Sequence, residues 1–135
     1  MSILANFTSA KADDMSYVID LIFSCMWMHS EIAAIQQGAL GALCKVSINK
    51  ATNQVVQITS EDIDVITNAM RTHLSVKDVQ ENAIVLLRSF SYNHVNVEIM
   101  GQNPHLVELI KNARSHFQLR FHVDDLLRLL PSDSQ

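Results

Sequence analysis

Six histidines, two cysteines and a few paired acids are the groups in this chain with the types to do chemistry. Histidines and cysteines suggest a metal site, and paired carboxylates suggest acid–base work. The spacings do not assemble either. His29 and His73 stand 44 residues apart at corresponding places in two similar segments. Packed as neighbouring layers they would lie about 10 Å apart, too far for one ion with bonds near ~2 Å. His116 and His122 lack the HExxH spacing of a helical zinc pair. The histidines therefore read as structural or surface residues. Cys25 and Cys44 form no CxxC and no disulfide framework; Cys44 reads as a small packing residue. Asp13-Asp14 and Asp124-Asp125 read as acids at helix starts, where the dipole favours them. Arg88, Arg114, Arg120 and Arg128 are dispersed and read as solubilising. No glycine-rich phosphate loop and no GxSxG elbow occurs. These residues give no catalytic, cofactor-binding or metal site, and the chain reads as a binding protein rather than an enzyme.

The elements that must position these groups come from a duplication. IQQGALGALCKVSIN at 35–49 is nearly rewritten as VQENAIVLLRSFSYN at 79–93. At a shift of 44, identical pairs include Ile19/Ile63, Asp20/Asp64, Ile22/Ile66, Met26/Met70, His29/His73, Gln36/Gln80, Ala39/Ala83, Leu43/Leu87, Ser47/Ser91 and Asn49/Asn93. A weaker third copy places Val107, Ile110, Ala113 and Val123 on Ile63, Ile66, Ala69 and Val79. A period in the forties is the signature of a helical solenoid, whose units bury their apolar faces against each other.

Local signals set the helices. Thr59 with Asp62 reads as a cap, followed by Ile63, Ile66 and Met70 at helical spacing. A second helix is expected from Ser75, with Asp78 as its capping acid, to about 92–93. It buries Val79, Ala83, Leu86, Leu87 and Phe90. A short helix over about 95–101 ends at Gly101, and Asn103-Pro104 opens the next copy. The first copy is expected to follow suit, with helices over 16–28, 31–47 and 51–58.

VQENAIVLLRSFS and IQQGALGALCKVS resemble the third helix of the armadillo repeat family. IDVITNAMRTH is similar to its second helix, HVNVEIMGQN to the short first helix, and LANFT at 4–8 to the last turn of another third helix. The resemblance covers nearly the whole chain, and its motif separates the armadillo type only weakly from the related HEAT type. It implies an all-α, right-handed α-α superhelix: one domain over 1–135, with a partial repeat at 1–14, repeats at 15–58 and 59–102, and a partial repeat at 103–135. The chain would start inside one third helix and stop inside another at Pro131, as a short solenoid or a fragment of a longer array.

The resemblance also implies a scaffold or adaptor that holds a partner peptide or helix along its third helices. Nuclear-import adaptors grip basic peptides there with a Trp and an Asn one turn apart. Here those positions hold Gly41 and Lys45, then Val85 and Ser89; Asn6 alone fits. Binding of nuclear-localisation peptides is therefore not expected. The stripe opposite the buried face is Glu81, Val85, Ser89 and Tyr92, with Gln37, Gly41, Lys45 and Ile48 as its first-copy counterparts. These eight residues are the candidate protein-binding groove.

Phe23 and Trp27 align with Thr67 and Arg71, so both are expected to face outward, as a site covered by Ile3, Leu4 and Phe7 or as a homodimer patch. Self-association is the alternative function. A net charge of −4 with dispersed cations argues against nucleic acid as partner. The most apolar run, VIDLIFSCMWM, is too short to span a bilayer. No membrane partner is expected, and the location reads as cytoplasmic, with the nucleus as second choice.

Overall fold

The computed structural model describes residues 16–49 and 52–130, and those residues are mostly helical. Ile19, Phe23 and Met26 fall at helical spacing in α1 (Ser16–Met28). Ile63, Ile66 and Met70 do the same in α3 (Ser60–Thr72). α2 (Ala33–Val46) follows α1, and α4 (Lys77–Phe90) follows α3. Then come α5 (His94–Gly101), α6 (Leu106–Phe117) and α7 (Arg120–Leu129). α1 packs on α2, α3 on α4, and α6 on α7, making three helix pairs. α4 packs on both α2 and α7, while α3 packs on both α1 and α6. The core runs through these contacts: Val79, Ala83, Leu86, Leu87 and Phe90 of α4 are all fully buried. Ile110, Ala113 and Val123 of the third copy are buried too.

The identities between copies have a physical cause. The Gln36 amide Nε2 donates to the carbonyls of Met26 at 3.1 Å and His29 at 2.9 Å. Gln80 repeats this on Met70 at 3.0 Å and His73 at 2.9 Å. Each glutamine reaches back to the end of the preceding helix, where the last carbonyls lack a helical i+4 donor. Ser47 and Ser91 likewise donate to the carbonyls of Cys44 and Arg88, three residues back. His73 ties successive units together. Its Nε2 donates to the Ser30 carbonyl at 2.7 Å, in the turn that joins α1 to α2.

Several expected elements shift. Thr59 and Asp62 form the full capping box. Ser75 and Asp78 do not: α4 begins at Lys77 after Val76, which carries no side-chain cap. The backbone closes that turn instead, with Val76 N–H donating to the His73 carbonyl at 3.0 Å. The first unit copies this, Ile32 donating to His29 at 3.1 Å, so α2 starts at Ala33 rather than 31. α6 starts at Leu106, two residues past Pro104. The Asn103 side chain accepts from the His105 N–H at 2.9 Å.

The helix expected over 51–58 is absent from the described part of that range. Ile48–Asn49 and Gln54–Val55 pair as short antiparallel strands. Asn53 takes a left-handed φ of 57°, which asparagine tolerates, and β-branched Val55 and Val56 favour extended backbone. The buried Asn96 side chain then holds the strand. It accepts from Ile58 N–H at 2.9 Å and donates to the carbonyls of Val56 at 2.8 Å and Phe90 at 3.0 Å.

Candidate functional site

The eight expected groove residues divide between a seam and an open end. Gln37 and Gly41 on α2, and Glu81, Val85 and Ser89 on α4, are half-buried. Asn82 donates to the Gln37 carbonyl at 3.1 Å, and the Ser47 and Ser89 hydroxyls lie 2.9 Å apart. This part of the stripe joins α2 to α4. Lys45, Ile48 and Tyr92 are exposed. Ile48 has left α2 for the first strand and is 42% exposed; Tyr92 lies beyond α4 and is 69% exposed.

Tyr92 borders a cleft of about 330 Å³ with Arg88, Ser91, Asp125, Arg128 and Leu129. The Arg88 guanidinium stands 6.0 Å from the tyrosine ring centroid, within cation–π reach. Arg88 also pairs with Asp125 at 3.0 Å, Arg128 pairs with the same carboxylate, and Arg114 pairs with Asp124 at 2.9 Å. These arginines are therefore partnered, not merely solubilising as expected; the Arg120 side chain lies outside the described residues. Asp124 and Asp125 sit inside α7 rather than at its start, while Asp13-Asp14 lies outside the described residues. The i, i+3 spacing of Asp125 and Arg128 was a readable signal of their pair.

The aromatic patch also divides. Phe23 is 4% exposed and belongs to the core, contrary to expectation; Trp27 is 60% and Met28 76% exposed. The inference failed at Thr67, the counterpart of Phe23, which is itself buried. Its hydroxyl donates to the Asp64 carbonyl at 3.0 Å. A threonine that bonds its own helix can be buried, so its polarity did not mark an outward position. The expected cover of Ile3, Leu4 and Phe7 lies outside the described residues.

Trp27 lines a groove of about 550 Å³ between α1 and α3. Phe23, Met28 and Val65 add apolar surface, and Asp20, Glu61, Asp62 and Asp64 add carboxylates. Burial raises the Asp62 pKa above its ordinary value. Hydrogen bonds from Thr59 oppose that rise, and the nearby charges of Asp20 and Glu61 reinforce it. The sequence reading found Trp27 but missed the acids. Asp20/Asp64 identity between the copies was the available sign.

His73 is buried and engaged with the Ser30 carbonyl, while His29 is exposed. His116 packs edge-on against Phe117, ring centroids 5.1 Å apart; the side chain of His122 lies outside the described residues. Among the described residues, no group of three or more His, Cys, Asp or Glu is placed to hold a metal ion. Cys25 is exposed. Cys44 is half-buried, its thiol donates weakly to the Asn82 carbonyl at 3.9 Å, and burial pushes its pKa up, away from the reactive thiolate. Among the described residues no helix is long and apolar enough to cross a membrane.

No protein-family model, curated protein or solved structure matches this chain.

Proposed function

We infer that the chain is an armadillo-like solenoid acting as a non-enzymatic scaffold, which binds a partner peptide or helix beside α2 and α4. The repeat arithmetic supports a helical solenoid, the armadillo resemblance implies its right-handed superhelix, and the matched Gln36 and Gln80 bonds support stacked units. One observation carries the binding reading: Tyr92 stands largely in solvent at the end of α4 beside the Arg88–Arg128 cleft. A tyrosine offers a large contact area with little entropy to lose, the property that makes it a frequent hot spot. Location in the cytoplasm or nucleus accords with this reading.

Self-association through Trp27 is the second reading, favoured by the exposed indole and its neighbour Met28. Light scattering over a wide concentration range separates the two. The scaffold reading expects a 15.2 kDa monomer throughout. It also expects partner binding that weakens in Tyr92→Ala and Val85→Glu but survives Trp27→Glu. A dimer that grows with concentration and is lost in Trp27→Glu would favour self-association.

A further inference from the structure

The groove between α1 and α3 shares no lining residue with the α2/α4 stripe and has its own chemistry. Buried Phe23 and half-buried Val65 make its apolar floor, and exposed Trp27 adds an aromatic surface to its lining. Its rim carries Asp20, Glu61 and Asp64, and Asp62 is half-buried beside them. An apolar floor favours a hydrophobic anchor. Three rim carboxylates around it favour cations on the same ligand. From Asp20 to Met28 the α1 wall runs about 12 Å, or some two helical turns. Phe23 and Trp27 are one turn apart, so anchors at i and i+4 of a partner helix match them.

We propose that this groove docks a cationic amphipathic helix of a partner protein, with apolar anchors against Phe23, Trp27 and Val65 and lysines or arginines against Asp20, Glu61 and Asp64.

Charge argues for this occupant over two others. A second copy meeting the groove face to face would bring the same carboxylates against these. The segment preceding α1 carries Lys11 against Asp13 and Asp14, so its side chains add negative charge. A cationic helix is complementary, and its charges would relieve the crowding of Asp62 by Asp20 and Glu61.

Trp27 is the single tryptophan of the chain, so its fluorescence reports directly on the groove. The full-length protein is titrated with a synthetic amidated helix of about 16 residues, leucine at i, i+4 and i+7 and lysine on the flanks. A second peptide has glutamate in place of lysine. The expected result is a saturable blue shift with the lysine peptide and none with the glutamate peptide. Affinity should fall roughly tenfold or more in the double variant Asp20→Lys/Glu61→Lys, whose far-ultraviolet circular dichroism matches the parent. Any of these results would overturn the proposal: no shift, equal shifts with both peptides, unchanged affinity in the double variant, or a blue shift on raising protein concentration alone. The last would assign the groove to a second copy. An emission already blue and indifferent to either peptide would assign it to the chain's own N-terminal segment, and would equally overturn the proposal.

Discussion

Replacing Gln80 by methionine keeps the volume of the side chain but removes its amide. The wild-type Nε2 donates to Met70 at 3.0 Å and His73 at 2.9 Å in a fully buried setting. Each lost bond costs about 1 kcal/mol net, and a buried carbonyl left unpaired costs about 1–3 kcal/mol more. The His73 carbonyl keeps the Val76 amide, so the Met70 carbonyl bears that second cost. Against this stands Gln80 Oε1, which is buried with no partner among the described residues; its removal returns about 1–3 kcal/mol. The net loss is about 2 kcal/mol, and the melting temperature should fall by roughly 4–8 °C in a chain of this length. Urea and thermal unfolding, followed by circular dichroism, measure both. Gln36→Met should cost less, because its bond to His29 is only partly buried. A loss below about 0.5 kcal/mol at Gln80, within the scatter of neutral surface changes, would refute the view that these clamps hold the helix pairs together.

Asn96→Leu should destabilise by about 2–4 kcal/mol, since the Ile58 N–H and Val56 carbonyl of the extended segment bond to that amide, and the Phe90 carbonyl of α4 shares it with the Asn93 N–H; amide exchange at Ile58 should accelerate with it. Gly38→Ala should raise stability by about 0.5–1 kcal/mol in urea unfolding, because an added Cβ meets nothing within 4 Å among the described residues. Thiol labelling should modify exposed Cys25 well before Cys44, whose pKa burial raises, and Cys44 should react freely only in denaturant. Burial makes folded Asp62 hold its proton more tightly than the unfolded chain does. Its charge therefore opposes folding above the folded pKa, and that penalty fades as pH falls through it. The stability gained in Asp62→Asn should be largest near neutral pH and shrink toward the ordinary value of 3.8, as urea unfolding across that window would read.

Helix identity was legible wherever apolar spacing and repetition agreed. Ile63, Ile66 and Met70 marked α3, and Val79 to Phe90 marked the buried face of α4. The pairing of Gln36 with Gln80 was visible as an identity, but its purpose was not. A glutamine in a helix names no partner until the preceding helix end is placed beside it. Residues 52–58 escaped because the repeat suggested a helix where Asn53, two valines and the distant Asn96 impose extended backbone. The groove stripe was read from angle alone, and angle does not reveal that Ser89 would meet Ser47 across the seam. Phe23 was misplaced by taking the threonine at the matching position as a sign of exposure. The rim acids went unread because Asp20 comes from α1, while Glu61 and Asp64 come from α3, some forty residues later.

The proposed scaffold role requires partner binding beside α2 and α4. A photo-crosslinking side chain placed at Tyr92 in living cells tests this most directly, with a second placed at exposed Glu98 on α5 as a control. A discrete adduct with another protein is expected from Tyr92, weakened by Val85→Glu and absent from Glu98. Adducts only between copies of the chain, or equal adducts from both positions, would contradict it.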